Sequence, residues 1–175
     1  MFTLRFKEDQ LRSWAHRYEY ESEEMKRLAV DTGQFMREHG YLTKPLFLGL
    51  CRWKSPRTKP HCQRNQEDFI EAVTRISLST SNERLKIEVL TLLNGVSWPT
   101  ASAILHFGDH ELYPILDFRA LWSLGFESPP RYNFDFWWAY TTYCRQLAAT
   151  HEMTMRELDQ ALWQFSKTNQ GKSYA

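Results

Sequence analysis

The chain has 175 residues and is nearly neutral, with 22 lysines and arginines against 21 aspartates and glutamates. Hydrophobic residues make up 42% and aromatic residues 15% of it, which excludes an intrinsically disordered chain because such chains hold few aromatics. The near-zero net charge also argues against a histone-like tail or a polybasic membrane anchor. The length matches a single domain of about 150 residues.

The sequence shows no sign of a membrane, disulfide or metal protein. No apolar run reaches the roughly 18 residues that span a bilayer, and the first residues lack the pattern of a signal peptide. Cys51, Cys62 and Cys144 are too few and too scattered for a disulfide framework or an iron–sulfur cluster, and the six histidines show no metal-ligand spacing. We therefore expect reduced thiols, no metal, no membrane partner and a cytoplasmic location (nucleoid-associated if the protein is bacterial).

Helical periodicity runs through the first two thirds of the chain. Apolar residues at three- and four-residue steps predict a helix over Glu23–Glu38. A short apolar segment at Pro45–Trp53 is followed by a polar loop. Asn65 is predicted to cap the next helix, and Thr80 with Glu83 predicts a capping box for the one after it.

Two clearer helices lie in the C-terminal part. One begins at Phe134, and Thr154 with Glu157 predicts a capping box for the other. The last helix carries a stripe of apolar residues that predicts a core face, namely Met155, Leu158, Ala161, Leu162 and Phe165. The tail Thr168–Ala175 is predicted to be frayed. Since strand alternation and linkers are missing, the sequence predicts one compact all-α domain over residues 1–175.

The stretch Leu92–Leu105 predicts a helix–hairpin–helix. Asn94 and Gly95 form a turn pair that tolerates positive φ. Pro99 fits the first turn of the second helix, where its missing N–H would be unpaired in any case. Such a turn presents backbone N–H groups beside a helix N-terminus, which favours an anion such as a phosphate. An ordinary helical corner is the alternative.

A single carboxylate follows the hairpin. Asp117 comes 22 residues after Gly95 and is predicted to open a short helix that ends near Gly125. An aspartate in this position commonly serves only as an N-cap, which contributes about 1 kcal/mol.

Together, the two segments resemble the helix–hairpin–helix DNA glycosylase superfamily (HhH-GPD), which includes the endonuclease III-like, adenine-mismatch and alkylpurine glycosylases. The family pattern is a leucine, often a proline, a glycine, a valine or isoleucine, another glycine and a threonine–alanine pair, followed after a short loop by one aspartate. The matching residues of this chain are Leu93, Gly95, Val96, Thr100, Ala101 and Asp117. The likeness covers Leu85–Gly125 and implies a helix–hairpin–helix at about 84–107 and an aspartate-bearing helix at about 117–124.

The resemblance implies a monofunctional DNA glycosylase. Such an enzyme flips a damaged or modified base out of double-stranded DNA and hydrolyses its N-glycosidic bond. Asp117 would stabilise the positive charge that develops on the sugar and would activate water. Bifunctional relatives carry a lysine where this chain has Pro99, so no lyase activity is expected.

The same resemblance implies DNA contacts at the hairpin. The backbone of Gly95, Val96 and Ser97 would hold a phosphate, and Thr100 is counted with these residues as DNA-binding. A monovalent cation at the hairpin is also implied, and no other cofactor is required. Ser97 departs from the family pattern because it replaces the second glycine.

A second candidate DNA surface is Cys51–Arg64, here called the basic segment, with five lysines and arginines and no acid. Lys54 and Arg57 would meet phosphates, and Trp53 would stack on a base. The alternative is a solvated loop anchored by a buried Trp53. Residues 41–66 hold six basic and no acidic residues (+6), whereas the rest holds 16 basic and 21 acidic residues (−5).

Four further residues are weaker candidates for contact with DNA or with a flipped base. Arg119 either reaches a phosphate or pairs with a local acid. Trp98, Trp14 and Tyr18 are candidates for a base pocket, for which core packing is the alternative in each case.

Two other functions stay open. The first alternative to the glycosylase is a non-catalytic DNA-binding module in which Asp117 only caps a helix. The second is a helical protein-interaction domain without affinity for DNA. For the glycosylase we expect a monomer with duplex DNA as its partner. The sequence does not indicate which base is removed.

Overall fold

A computed structural model of the protein describes residues 2–19, 22–109 and 111–171. Within these residues all regular structure is helical, which confirms the all-α fold class. In chain order the helices are α1 (Leu11–His16), α2 (Glu23–His39), α3 (Lys44–Lys54), α4 (Lys59–Cys62), α5 (Glu67–Ser79), α6 (Glu83–Glu88), α7 (Trp98–Gly108), α8 (Phe118–Ser123), α9 (Phe134–Thr150) and α10 (Met155–Asn169). Three short 3-10 turns cover Glu8–Gln10, Pro56–Thr58 and Val89–Leu92. None of the described helices combines the length and the apolar character required to cross a bilayer.

The chain divides into two compact units. The terminal unit joins both ends of the chain, Met1–Tyr20 with Glu111–Ala175, and the central unit is Glu21–His110. The single domain predicted over residues 1–175 does not anticipate this division, because neither junction carries a run of glycine, proline or serine that marks a linker.

The terminal unit is built around α10, which packs on α1, α8 and α9. All five residues of its predicted apolar stripe are buried. The predicted capping box is also present: the Thr154 hydroxyl accepts from the Glu157 N–H, and the Glu157 carboxylate accepts from the Thr154 N–H. The helix continues to Asn169, so the chain is ordered past the start of the predicted frayed tail, and residues 172–175 lie outside the described part.

The N-terminal segment closes the terminal unit over the end of α8. The Thr3 and Arg5 N–H groups donate to the carbonyls of Leu124 (3.1 Å) and Ser123 (2.9 Å). The Arg5 side chain donates to the Trp122 carbonyl at 2.6 Å, and its guanidinium lies over the Trp122 ring. The helix that starts after Asp117 is therefore fixed at its far end by backbone pairing.

The central unit is organised around α7, in which every residue from Thr100 to Phe107 is buried. Helices α2, α3 and α6 pack on it. The crossing with α2 is close, since a Cβ on Gly33 would lie 2.9 Å from the Phe107 carbonyl oxygen. Ala101 and Ser102 are fully buried in this helix, in agreement with the close crossing that their small size predicts.

Two predicted helix caps are wrong. Helix α6 is capped by Asn82, whose side chain accepts from the Leu85 N–H at 2.9 Å. Thr80 is unavailable as the cap because it still belongs to the end of α5, where its N–H donates to the Ile76 carbonyl. Asn65 does not cap α5 either: Gln66 is in that position, and the Asn65 side chain is bonded elsewhere, as described below.

The polar loop predicted after Trp53 is also more ordered than expected. It folds into the 3-10 turn Pro56–Thr58 and the one-turn helix α4.

Cys51 and Cys62 are buried free thiols, as is Cys144. Burial raises the pKa of the Cys51 and Cys144 thiols, so both are protonated at neutral pH and pack as small apolar side chains.

Replacement of Thr154 by alanine tests the capping box of α10. Loss of the hydroxyl leaves the Glu157 N–H without its acceptor, so the free energy of unfolding falls by about 1 kcal/mol in urea denaturation. Thr150→Ala is the matched control, because Thr150 is exposed at the end of α9. Equal stabilities of the two variants contradict a role for the capping box.

Candidate functional site

The predicted helix–hairpin–helix is formed by α6, the 3-10 turn Val89–Leu92 and α7. Its turn is closed by the Val96 N–H, which donates to the Leu93 carbonyl at 3.0 Å. Gly95 has φ +80°, as the third position of a type II turn requires. Helix α7 then begins at Trp98 with Pro99 in its first turn, as predicted.

Gly95 is required for space as well as for backbone conformation. A Cβ at this position would lie 2.6 Å from the Cys62 sulfur, 2.9 Å from the Cys62 nitrogen and 3.0 Å from the His61 Cβ. Helix α4, which belongs to the basic segment, is thus in direct contact with the hairpin turn. The two candidate DNA surfaces of the central unit are brought together at this point.

Asn65 joins the same two elements by hydrogen bonds. Its side chain is buried; the carboxamide oxygen accepts from the Asn94 N–H at 2.8 Å, and the carboxamide nitrogen donates to the Asn94 carbonyl at 2.9 Å. The same nitrogen donates to the Cys62 carbonyl at 2.9 Å. A carboxamide carries a donor and an acceptor side by side, so it pairs with the backbone N–H and carbonyl of one residue as a neighbouring strand would. Sequence reasoning missed this role.

The structure bears on two of the predicted DNA contacts at the hairpin, Val96 and Thr100. The Val96 N–H closes the turn and its side chain is buried, which leaves Gly95 and Ser97 as the predicted residues whose N–H groups have no partner among the described residues. Thr100 is 1% exposed, so its side chain packs inside the central unit and does not reach DNA. Its place in the first turn of α7 directs it inward.

The turn offers little for a cation. The carbonyl oxygens of Leu93 and Asn94 already accept hydrogen bonds from Val96 and Asn65. Elsewhere in the described chain, histidine, cysteine and carboxylate side chains form no group of three that would hold a metal ion. No step of the reaction proposed below runs through the implied monovalent cation.

The basic segment presents cations but not a stacking ring. Arg57, Lys59 and Arg64 are exposed and form no ion pair with the described residues, while Lys54 is half-buried at the end of α3. The Trp53 ring meets Phe107 edge to face at 5.1 Å and lines a narrow apolar crevice between α2, α3 and α7. These contacts favour the packing alternative for Trp53 over stacking on a base.

In the terminal unit, Asp117 is the N-cap of α8. Its backbone is extended, and its Oδ1 accepts from the Arg119 N–H at 2.8 Å. The side chain is half-buried beside aromatic residues. Burial, and secondarily the negative charge of Asp117, raises the pKa of Tyr132 to about 12. Burial chiefly raises the pKa of Tyr140, with Asp117 a minor contributor, and the Tyr140 hydroxyl donates to the Ile115 carbonyl at 2.9 Å.

Arg119 lies against aromatic rings. Its guanidinium is 5.3 Å from the ring centre of Trp163 and 5.1 Å from that of Phe118, which is exposed. The ring of Trp163 also meets the ring of Tyr18 edge to face, with 5.4 Å between the ring centres. Cation–π contacts of this kind hold the Arg119 charge close to the start of α8.

The remaining pocket candidates belong to different units. Trp14 packs against Phe6 and Phe165 within the terminal unit, which is the core-packing alternative. Trp98 belongs to the central unit, where it is half-buried as the first residue of α7.

Comparison with protein families, with characterised proteins and with solved structures finds no match to this chain. The likeness to the glycosylase superfamily therefore depends on the hairpin residues and Asp117 alone.

Gly95→Ala tests the contact between the turn and α4. Gly40→Ala is a matched control, since Gly40 has a similar φ of +74° but no atom within 4 Å of an added Cβ. In urea denaturation, Gly40→Ala should lower the free energy of unfolding by about 1 kcal/mol, the cost of a left-handed backbone at alanine. Gly95→Ala adds the clash with Cys62, so its loss should be at least about 2 kcal/mol. Equal losses contradict the close contact.

The titration of Tyr132 tests its nearness to Asp117. In the parent, the tyrosinate absorbance that is lost in Tyr132→Phe should appear only near pH 12, and Asp117→Asn should move it to lower pH because the negative charge is gone. The raised pKa stabilises the fold fully below about pH 10, and this contribution is lost as the pH rises toward 12. A Tyr132 titration that is unchanged by Asp117→Asn contradicts the placement.

Proposed function

We propose that this protein is a monofunctional DNA glycosylase that hydrolyses the N-glycosidic bond of a damaged or modified base in duplex DNA. The observation that carries the proposal is Asp117: a half-buried carboxylate fixed at the start of α8, on the first helix after a helix–hairpin–helix. Hairpin and carboxylate follow one another in the order of the superfamily that the sequence resembles.

The chemistry assigned to Asp117 is electrostatic and acid–base. As the bond between C1′ and the base breaks, positive charge develops on the sugar, and a fixed carboxylate stabilises it more strongly in partly dry surroundings than in water. The hydrogen bond from the Arg119 N–H holds the carboxylate in place. Asp117 takes a proton from water while the water oxygen bonds to C1′. The base departs with its bonding electron pair and takes a proton from solvent, and Asp117 later returns its proton to solvent.

Absence of lyase activity follows from Pro99. A lyase needs an amine that forms a Schiff base with the sugar, and Pro99 occupies the position at which bifunctional relatives carry this amine. The product is therefore an intact strand with an abasic site.

The DNA contacts we assign lie in the central unit. The Gly95 and Ser97 N–H groups at the start of α7 suit a phosphate, and Arg57 adds an exposed charge from the basic segment. Lys54 is the weaker candidate because it is half-buried.

A second candidate function is a DNA-binding module without catalysis. It is favoured by the bond between Asp117 and the Arg119 N–H, which is what an ordinary N-cap makes. Under this reading the hairpin binds DNA and Asp117 only starts α8.

Asp117→Asn separates the two functions, because asparagine caps a helix as well as aspartate but carries no charge. The parent is incubated with duplexes containing alkylated, oxidised, deaminated, mismatched or enzymatically modified bases, and alkali then reveals abasic sites as strand breaks. On the duplex that is cleaved, Asp117→Asn should lower the rate by a factor on the order of 100 or more, while the melting temperature stays unchanged.

Asn133→Ala is the control for capping, since Asn133 caps α9 in the same unit and its loss should lower stability but not the cleavage rate. Full activity of Asp117→Asn contradicts the assigned carboxylate. Salt-sensitive DNA binding with no cleavage of any duplex favours the second candidate. Strand breaks without alkali, or a covalent complex after borohydride, contradict the monofunctional reaction.

A further inference from the structure

The contact between α4 and the hairpin turn has a consequence for DNA binding. The two elements are separate in sequence, since Asn65 and Asn94 are 29 residues apart. They are nevertheless joined by the bonds from Asn65 to Asn94 and Cys62, and by the Cys62 sulfur against Gly95. With Asn65 2% exposed, water does not compete for these bonds, and the seam between the elements is rigid.

Two exposed cations lie beside this seam. Lys59 begins α4, and Arg64 follows two residues after Cys62. Both are within one helical turn of the residue that touches Gly95. Neither forms an ion pair with the described residues, so their charges are available to a polyanion.

We propose that the hairpin turn and α4 form one surface for the backbone of duplex DNA, in which Lys59 and Arg64 each neutralise a phosphate. Asn65 is the positioning residue that keeps the turn and the two cations in register. This inference deepens the proposed function, because it rests on duplex DNA as the partner, but it does not depend on base excision. The basic segment thus serves the DNA backbone.

The rigid seam explains why so few charges suffice. Each phosphate that a lysine or arginine neutralises releases counterions, which strengthens binding and makes it salt-dependent. A preformed surface avoids the cost of ordering two separate loops when DNA binds. A nearly neutral chain can therefore bind DNA through a small patch.

The cations are tested with the double variant K59A/R64A of the full chain. Binding to a short undamaged duplex is followed by fluorescence anisotropy between about 50 and 200 mM salt. The slope of log K against log salt concentration should decrease in magnitude by about 2, since each contact contributes about 0.9. The control R27A/R37A removes two exposed cations from α2 and should leave the slope unchanged.

Asn65→Ala tests the positioning role, with Asn82→Ala as its control. Both variants remove a side chain that bonds to the backbone of the central unit, but Asn82 only caps α6. Asn65→Ala should weaken binding at least tenfold at the lower salt concentrations and reduce the salt slope, whereas Asn82→Ala should change affinity by less than twofold. A purely structural role of Asn65 would leave the salt slope of the folded fraction as it is in the parent.

The inference is overturned if the parent does not bind the duplex at low salt, or if K59A/R64A keeps the parent slope. An unchanged slope in folded Asn65→Ala overturns the role of Asn65. These failures are distinct from failure of the glycosylase proposal, because the duplex here holds no base to excise. If base excision is unaffected by K59A/R64A and by Asn65→Ala, the surface proposed here is rejected while the glycosylase proposal stands.

Discussion

The contact between the hairpin turn and α4 is the constraint on which the central unit's candidate interface depends. A turn with Gly95 in the left-handed region is open to many conformations by itself, and the Asn65 carboxamide holds it in one by bonding to both the N–H and the carbonyl of Asn94. Any larger residue at position 95 would meet Cys62. Turn geometry, the start of α7 and the basic segment are therefore fixed by a single small region.

Features that depend on neighbours in sequence could be predicted, and those that depend on distant partners could not. The capping box of Thr154 and Glu157 spans three residues and was readable directly. Asn65 has the composition of a cap, but its partner is 29 residues away, so tertiary hydrogen bonds override the local preference. Thr80 and Asn82 are both residue types that cap helices. Asn82 caps α6 because α5 extends as far as Thr80.

The same distinction between local and distant partners applies to the candidate site residues. The turn at Gly95 and the helix starts at Pro99 and Asp117 are predictable, because a turn and a helix start require particular residue types. Thr100 was misassigned because sequence does not reveal which side of α7 faces α2 and α3, and the whole helix proves to be buried. The packing of the Trp53 ring is not predictable for a similar reason, since its partner Phe107 lies on another helix.

The terminal unit is assembled from the two ends of the described chain, with α1 packed mainly on α10. Helix α1 has only six residues, too few to be stable alone, so it has no partner until α10 has been made. The central unit, in contrast, is one continuous segment of the chain. During synthesis the hairpin and its basic segment therefore fold before the unit that carries Asp117.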